Sequence, residues 1–400
     1  MKILVLNCGS SSVKFQLFDM KKDRAVAVGV VERLGQDDAI ARYRRGDDEE
    51  IREVLPVKGH TQAIELAMNY LTDKKNGVIE SKNQIDAVGH RVVHGGEEFS
   101  GSIVIDDKVI NCIRDFSRFA PLHNPANLKG IEACVELIPD AKQVAVFDTA
   151  FHQNIPKHAY IYGLPIRLYE KLGIRRYGFH GTSHKFVARK AAKHLGRSLE
   201  ELKIVTCHLG NGVSITAVRD GHSVDTSMGF TPLEGVVMGT RCGDIDPALV
   251  PYLMSVEGLS AEEVDRLMNK ESGLLGLSER ASDMREVLDG MKDGDEKCAL
   301  AFKVFCYRIK KYIGAYAAAL GGLDAVVLTG GIGENSPDVR SEICSGLEFM
   351  GIELDESKNG RNEFSSGKGS VQLLVIPTNE ELAIARSTIT VLQNKVRAGE

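Results

Sequence analysis

Loops rich in Gly, Ser, His and Arg are the parts of this sequence that could do chemistry. The stretch NCGSSSVKF, residues 7–15, places small residues between two strand-like runs and a Lys inside the second. No G-x-x-x-x-G-K-[ST] motif occurs, and GGIGEN at 330–335 lacks the third Gly of a dinucleotide fingerprint. Each Gly-rich turn alone is more often an ordinary turn, but those at 7–12, 208–212 and 330–335 together favour a divided phosphate and nucleotide site.

Arg and His beside Gly form a second feature. GHRVVHGG contains His90, Arg91 and His94, and GTRCGDIDP contains Arg241. RRYGFHGTSH contains His180 and His184 around a Gly turn, before a helix that Thr182 or Ser183 is expected to cap. The guanidinium of Arg is a planar fork that matches carboxylate and phosphate groups. In a chain with a net charge of −5, these three loops favour a binding site for a small anion over a scatter of solvated surface residues.

Two acidic positions are candidates for a metal site. Asp148 ends the apolar run of VAVFDTAF (144–151), where an ionised carboxylate is costly unless it is paired or bound to a metal. In TNEE, Thr378 and Glu381 have the T-x-x-E spacing of a capping box, so Glu381 is interpreted as structural. Glu380 is then left without a local task and becomes the metal candidate, and Mg²⁺ suits such a sparse set of carboxylates.

The elements that must position these loops repeat along the chain. KILVLN-CGSSS-VKFQLFD predicts strand, loop and strand, with a third strand at Ala25–Val31. KIVTCHLGNGVSITAVRDG at 203–221 has the same pattern, which favours two related domains over two unrelated turns. Elsewhere strands and helices alternate, with Ser336-Pro337 opening a helix and Gly321-Gly322 closing a buried one, which predicts α/β layers.

Length and composition limit the class of protein. A chain of 400 residues with 43% hydrophobic and 26% charged residues predicts a globular protein of two domains, and its charge of −5 gives no case for binding nucleic acid or an anionic membrane. The first residues lack the apolar stretch of a signal peptide, and the longest apolar run, Tyr312–Leu323, is too short to span a bilayer. The eight Cys show no zinc spacing, so a cytoplasmic protein with reduced thiols is expected.

These motifs, taken in order, resemble those of the acetate kinase family. ILVLNCGSSSVKF and VTCHLGNGVS resemble its two signatures, and GHRVVHGG, FDTAFH, YGFHGTSH, MGTRCGDIDP, GGIGENS and TNEE match in order and spacing across the whole chain. The resemblance implies an α/β fold of the acetate and sugar kinase, Hsp70 and actin superfamily, with two duplicated ribonuclease H-like domains and a nucleotide cleft between them. Residues 1–149 plus 383–400 are expected to form the N-terminal domain, with the substrate site, and residues 150–382 the C-terminal domain, with the adenosine site.

The resemblance also implies an enzyme that transfers a phosphoryl group reversibly and in line from ATP to acetate, giving acetyl phosphate and ADP. It implies ATP as co-substrate, Mg²⁺ (with Mn²⁺ as a second candidate) and a homodimer. Propionate kinase is the nearest alternative, because one methylene group changes binding in an apolar pocket by only ~1–3 kcal/mol. An actin- or Hsp70-like nucleotide switch is the alternative from another class.

Carried onto this sequence, the resemblance implies four groups of site residues. The catalytic group is Asp148, His180 and Arg241, and the metal group is Asn7 and Glu380. The substrate group is Arg91, Val93, Leu122, Phe179 and Pro232. The ATP group is Lys14, His208, Leu209, Gly210, Asn211, Gly212, Asp283, Met284, Arg285, Gly331, Ile332, Gly333, Glu334 and Asn335. Because acetate is already ionised and needs no general base, Asp148 is expected to orient the metal or its waters rather than to take a proton.

Overall fold

The structure, a computed structural model, describes residues 1–121, 123–360 and 367–398. Its strands are β1 Lys2–Cys8, β2 Ser12–Asp19, β3 Arg24–Glu32, β4 Ala39–Arg45, β5 Ile51–Leu55, β6 Ala87–Val92, β7 Ile103–Val104, β8 Lys142–Phe147, β9 Ile204–Leu209, β10 Val213–Arg219, β11 His222–Thr226, β12 Ala325–Thr329 and β13 Gln372–Val375. Its α-helices are α1 His60–Thr72, α2 Asp107–Asp115, α3 Asn124–Leu137, α4 Lys157–Tyr160, α5 Arg167–Leu172, α6 Gly181–Leu195, α7 Leu249–Val256, α8 Ala261–Lys270, α9 Gly273–Ser278, α10 Met284–Lys292, α11 Glu296–Leu320, α12 Gly330–Asn335, α13 Pro337–Cys344 and α14 Glu380–Ala398.

The chain divides into two compact units. Unit 1 is Met1–Ala150 with Asn379–Glu400, and unit 2 is Phe151–Thr378. The division falls immediately before α14, whereas the boundary expected from the sequence placed residues 379–382 with the C-terminal domain. Because α14 is one continuous helix from Glu380, it joins unit 1 as a whole.

Unit 1 is built on a mixed sheet with the strand order β5-β4-β3-β2-β1-β6-β8-β7. β1 to β5 form an antiparallel meander, whereas β6 runs parallel to β1 and β8 runs parallel to β6. The third strand predicted from the sequence is confirmed as β3. The parallel arrangement brings the carboxyl ends of β1, β6 and β8 to one edge of the sheet.

Helices cover both faces of the unit 1 sheet because β1 is apolar on both sides. Leu4 and Leu6 pack in a core that also contains residues of α1 and α3. Ile3 and Val5 lie in a second core with Ile384 of α14. A strand buried on both faces has a continuous apolar run, which explains why ILVL lacks a polar residue.

Unit 2 has the strand order β11-β10-β9-β12-β13, with β9 to β11 antiparallel and β12 and β13 parallel to β9. The central part of the unit 1 sheet, β3-β2-β1-β6-β8, has the same order. The duplicated α/β fold predicted from the two hairpins is therefore confirmed. The predicted end of the buried helix is also confirmed, since α11 stops at Leu320 and Gly321 is left-handed (φ 65°).

The start of α6 differs from the sequence-based expectation. Thr182 and Ser183 were expected to cap this helix, but both lie inside its first turn, and the N-cap is His180. By contrast, Ser336 and Pro337 occupy the expected N-cap and first helical position of α13, although the serine hydroxyl makes no cap hydrogen bond.

The capping box expected at α14 is wrong. Asn379 caps the helix, because its Oδ1 accepts a hydrogen bond from Leu382 N at 2.9 Å. Thr378 lies one residue too early to cap, and its Oγ1 instead forms a hydrogen bond with Ser183 Oγ at 2.9 Å. The hydroxyls of two expected caps thus bond to each other, and a tertiary contact replaces two local ones.

The cysteines are unpaired, as expected from their spacing. All eight are free thiols, and burial raises the pKa of the Cys8 thiol to about 12. Within the described residues, no helix combines the length and the apolar character needed to cross a bilayer.

Candidate active site

Polar residues of unit 1 gather where its parallel strands end. Asn7 lies near the end of β1, Arg91 near the end of β6, and Asp148 directly follows β8. Asp148 N donates to Val92 O at 2.9 Å, which continues the strand pairing for one more residue and fixes the position of the carboxylate. Strand order, rather than proximity in the sequence, therefore brings these side chains together.

Arg91 and Asp148 form a buried ion pair. Arg91 Nε donates to Asp148 Oδ1 at 3.1 Å, Nη2 donates to Oδ2 at 2.7 Å, and Nη1 donates to Asn7 Oδ1 at 3.4 Å. The Asp148 side chain is 1% exposed and that of Arg91 21% exposed. Burial opposes the charge of Arg91, but Asp148 and Glu380 hold the pKa of the guanidinium above its ordinary value. The pairing leaves about two of the five N–H groups of Arg91 for a ligand.

Glu380, the first residue of α14, lies close enough to this pair to feel its charges. Burial raises the pKa of the Glu380 carboxyl; Asp148 adds to that effect, and Arg91 and Lys14 oppose it. The described residues contain no group of three His, Cys, Asp or Glu side chains that could hold a metal. Asn7, Asp148 and Glu380 offer oxygen donors only, which fits a hard divalent cation that keeps water or phosphate oxygens as its other ligands.

A chain of hydrogen bonds between His, Ser and Thr side chains runs through the interior of unit 2. His180 Nδ1 bonds to Ser214 Oγ at 2.9 Å, and Ser214 Oγ bonds to His184 Nε2 at 2.7 Å. His184 Nδ1 in turn bonds to Thr206 Oγ1 at 2.7 Å. Burial, together with two neighbouring His rings, holds the pKa of His184 well below its ordinary value. The neutral His184 ring therefore helps to orient His180 through Ser214.

The turn between β9 and β10 touches both predicted catalytic groups of unit 2. A Cβ built on Gly212 would lie 3.2 Å from His180 Cε1 and 3.5 Å from Arg241 Nη1, so imidazole, guanidinium and turn backbone are neighbours. His180 itself is left-handed (φ 56°), a conformation that costs a non-Gly residue about 1–3 kcal/mol and that clusters at functional sites.

Arg241 lies in an irregular loop rather than on a helix or strand. Its Nη1 donates to Pro232 O at 3.2 Å. The loop is fastened to the β9–β10 turn by a hydrogen bond from Gly239 N to Asn211 O at 3.0 Å. The position of Arg241 is thus coupled to the turn that also contacts His180.

A cavity of about 800 Å³ opens in unit 2. Residues from three separate segments line it, namely Gly210 and Asn211, then Asp283, Met284 and Arg285, and finally Gly331, Ile332 and Asn335. Its volume lies in the range of pockets that bind small organic ligands, about 300–1,000 Å³.

Two carboxylates fix the backbone of the segments around this cavity. Asp283 caps α10 by accepting from Arg285 N at 2.9 Å, and the guanidinium of Arg285 binds the same carboxylate, which lowers the pKa of Asp283. Glu334 Oε1 accepts from Gly330 N at 2.9 Å and from Thr378 N at 3.0 Å. Residues 330–335, expected from the sequence to be a turn, form the short helix α12, and Glu334 holds the Gly-rich start of this helix against the segment that precedes α14.

Known proteins match this chain over its full length. The model of the acetokinase family covers residues 2–386. The chain is 55% identical to the acetate kinase of Dictyoglomus thermophilum over 399 residues, which is 99% of this chain and 100% of that protein. The chain belongs to the acetokinase family.

Solved structures of the same fold extend this result. The acetate kinase of Porphyromonas gingivalis matches this chain with a TM-score of 0.94 and 48% identity, covering 98% of this chain and 99% of that one. A propionate kinase from Francisella tularensis matches with a TM-score of 0.91 and 42% identity, covering 96% and 98%. The predicted family and fold class are confirmed, and the acetate kinase prediction is favoured over its propionate alternative by the full-length relatives.

The remaining residues of the predicted site lie in different environments. In unit 1, Lys14 is exposed and pairs with Asn7 across β1 and β2, and Val93 is buried after the end of β6. Leu122, expected in the substrate pocket, lies outside the described residues. In unit 2, Phe179, the residue that precedes His180 in the sequence, is buried.

Three residues of the predicted ATP group lie in the interior of unit 2. The ring of His208 bonds through Nδ1 to Ser183 Oγ at 2.8 Å. Leu209 is fully buried at the end of β9, and a Cβ on Gly333 would lie 3.6 Å from its side chain. These three residues pack beneath the β9–β10 turn and within α12, and they do not line the cavity.

Sequence reasoning missed two residues that hold the first loop. The buried Asn127 of α3 accepts from Val93 N at 3.1 Å through Oδ1 and donates to Cys8 O at 2.8 Å through Nδ2. His60 Nε2 bonds to Gly9 O at 2.7 Å. The signal for Asn127 was a polar residue on the buried side of a helix start, in HNPANL, where an unpaired amide would be costly.

Proposed function

We propose that this acetokinase transfers the γ-phosphoryl group of ATP to acetate, reversibly, to give acetyl phosphate and ADP. One observation carries the proposal. The turn at residues 210–212 borders the cavity through Gly210 and Asn211, and through Gly212 it contacts His180 and Arg241. A nucleotide in the cavity would therefore extend its phosphates along this turn toward a His and an Arg, which is the arrangement that phosphoryl transfer needs.

Arg241 and His180 would stabilise the group in transfer. In phosphoryl transfer the charge spreads over three equatorial oxygens, and positioning and electrostatic stabilisation supply most of the catalysis. The guanidinium of Arg241 offers several donors in one plane, and the hydrogen-bond chain through Ser214 orients His180. Donors held in advance at such a site need no reorganisation during the reaction.

Arg91 would bind the carboxylate of acetate with the N–H groups that Asp148 does not use. Acetate is ionised at neutral pH, so its oxygen attacks without a general base. The carboxylate of Asp148 accepts from two N–H groups of Arg91: Nε is shared between the two carboxylate oxygens at 3.1 and 3.2 Å, and Nη2 donates at 2.7 Å. This pairing supports an orienting role for Asp148 over the removal of a proton.

Asn7 and Glu380 would hold Mg²⁺, with Mn²⁺ as the second candidate, and Asp148 would orient the ion or its waters. Lys14 would add positive charge near the phosphates. The bound ion would neutralise negative charge on the phosphoryl group that is transferred. The raised pKa of Glu380 supports this assignment, because a buried carboxylate beside a second one is stabilised by a cation. A cytoplasmic location and a homodimer, both expected from the sequence, stay predictions.

The direct test is the formation of acyl phosphate from ATP, Mg²⁺ and acetate, propionate or butyrate, each trapped with hydroxylamine. We expect kcat/KM for acetate to exceed that for propionate by about 10-fold or more, the lower end of what one methylene contributes. Arg241→Ala, purified in the same way, controls for contaminating kinases. A preference for propionate would replace the proposed substrate, and ATP binding with no acyl phosphate from any of the three would support a nucleotide switch instead.

A further inference from the structure

The loop that carries Arg241 is closed at its base by a reciprocal contact. Gly235 N donates to Asp244 Oδ1 at 2.8 Å, and Asp244 N donates to Gly235 O at 2.7 Å. A Cβ on Gly243 would lie only 2.5 Å from Gly235 O, and Gly235 and Gly243 have positive φ angles of 109° and 69°. Glycine at both positions permits this close crossing. Residues 235–244 therefore form a closed loop of defined shape.

Tyr312 connects Asp244, at the base of this loop, to α11, the longest helix of unit 2. Its hydroxyl, on α11, donates to Asp244 Oδ2 at 2.6 Å, so both carboxylate oxygens of Asp244 are used. Burial, together with this hydrogen bond, raises the pKa of Tyr312, and the hydroxyl stays a donor throughout the pH range of a kinase assay. α11 also packs on β9 and β10, the strands that flank the turn at 210–212. Asp244 thus links the Arg241 loop to the scaffold of the phosphate turn.

The backbone within the closed loop is also fixed near Arg241. Met238 N donates to Arg241 O at 3.1 Å, and Leu274 N donates to Met238 O at 2.9 Å. The guanidinium reaches Pro232 O, on the segment that leads into the loop. A planar fork works only when it is held within about 0.5 Å and 10–20° of the productive geometry. The direction of the guanidinium therefore depends on how the ends of the loop are joined.

We propose that Asp244 and Tyr312 are positioning residues for Arg241, and that they fix the loop closure that aims its guanidinium at the transferring phosphoryl group. This inference rests on the role given to Arg241 in the proposed function. Neither residue lines the nucleotide cavity. Their effect should therefore appear in the chemical step and not in the binding of ATP.

The test is a double-mutant cycle on the full chain, assayed with ATP, Mg²⁺ and acetate. Tyr312→Phe removes one hydroxyl and keeps the ring, and we expect it to lower kcat about 10-fold, as a small misplacement of a catalytic group does. The KM values for ATP and acetate should stay within about twofold, since the cavity and Arg91 are unchanged. Tyr307→Phe is the matched control, because Tyr307 lies on the same helix and is 60% exposed, and it should have wild-type kinetics.

The second arm repeats Tyr312→Phe in the Arg241→Ala background at raised enzyme concentration. There we expect a change in kcat of less than about twofold, because no guanidinium is left to aim. An equal loss in both backgrounds, or wild-type kcat in Tyr312→Phe alone, would overturn the inference. If Arg241→Ala itself kept wild-type kcat, the role of Arg241 in the proposed function would fail, which is a distinguishable result. Asp244→Asn should lower kcat in the same way, and if this variant fails to fold, the single-atom change at Tyr312 still decides the question.

Discussion

The β1–β2 and β9–β10 hairpins carry different residues at matching positions. One step before the turn, Asn7 pairs with Lys14 in the first hairpin, and His208 pairs with Ser214 in the second. Lys14 is exposed, whereas Ser214 is fully buried and accepts or donates hydrogen bonds with two His rings. The two hairpins have the same backbone pairing, but the matching position carries an exposed, charged side chain in unit 1 and a buried, uncharged one in unit 2.

The two units also differ at the ends of the parallel strands beside these hairpins. In unit 1, Arg91 near the end of β6 and Asp148 directly after β8 form an ion pair. In unit 2, the corresponding strand β12 ends at Thr329, whose hydroxyl bonds to Glu334 at 3.3 Å. Charge pairing therefore organises the site of unit 1, and directional hydrogen bonds organise that of unit 2. The two should respond differently to mutation.

The largest expected effect is on stability in unit 1. Asp148→Ala should lower the free energy of unfolding by about 3–5 kcal/mol, because it leaves the buried charge of Arg91 uncompensated. Urea denaturation measures this loss. The double variant Arg91→Ala/Asp148→Ala is the control and should recover much of the stability. A loss below about 1 kcal/mol in the single variant, as for an exposed pair, would contradict charge pairing as the organising force.

The second-largest effect is expected in the steady-state kinetics of two Arg variants, one in each unit. Arg241→Ala should lower kcat by about 10²–10³, or roughly 3–4 kcal/mol of transition-state stabilisation, with a smaller change in the acetate KM. Arg91→Ala should act mainly by raising the acetate KM, because Arg91 is assigned to the substrate carboxylate. Steady-state kinetics of both variants test the division. If the two variants showed the same pattern, the assignment of phosphoryl and carboxylate groups to separate units would be wrong.

A pH effect of intermediate size is expected at His90. This ring is buried and bonds to Gln143, and burial lowers the pKa of His90 to about 4. The unfolded chain therefore binds a proton that the folded protein does not, so stability falls as the pH drops from about 6.5 toward 4, by about 2 kcal/mol at pH 5. His90→Asn should flatten this dependence in denaturation curves. The lowered pKa of His184 in unit 2 makes stability fall with pH in the same direction. If the His90 variant kept the wild-type dependence of stability on pH, the loss of stability would be assigned to His184.

The smallest effect tests how α14 begins. Asn379→Ala should cost about 1 kcal/mol of stability, since it removes the hydrogen bond to Leu382 N. Glu381→Ala is the matched control and should change stability by only a few tenths of a kcal/mol, as surface substitutions usually do. Thermal unfolding of the two variants decides the matter. A larger loss in Glu381→Ala would restore the capping box.

Much of the fold followed from local patterns, and the failures have a common cause. The strand at 25–31 and the end of α11 at Gly321 were predictable because each depends on neighbouring residues. The caps at Ser183 and Thr378 were not, because each hydroxyl satisfies the other across unit 2. Ser214 and Thr216 alternate with apolar residues along β10, yet that strand is buried on both sides, which the residue types alone do not show.

The sequence by itself determined the family, the duplicated hairpin and the kinds of group available for chemistry, because these reside in continuous motifs. Only the tertiary structure decided how those groups pair. Arg91 gives its Nε and one Nη2 donor to Asp148, and Arg241 depends on a loop that Asp244 and Tyr312 close. Strand order and helix packing create such contacts between residues far apart in the chain, and no local pattern of residue types records which partner each one will meet.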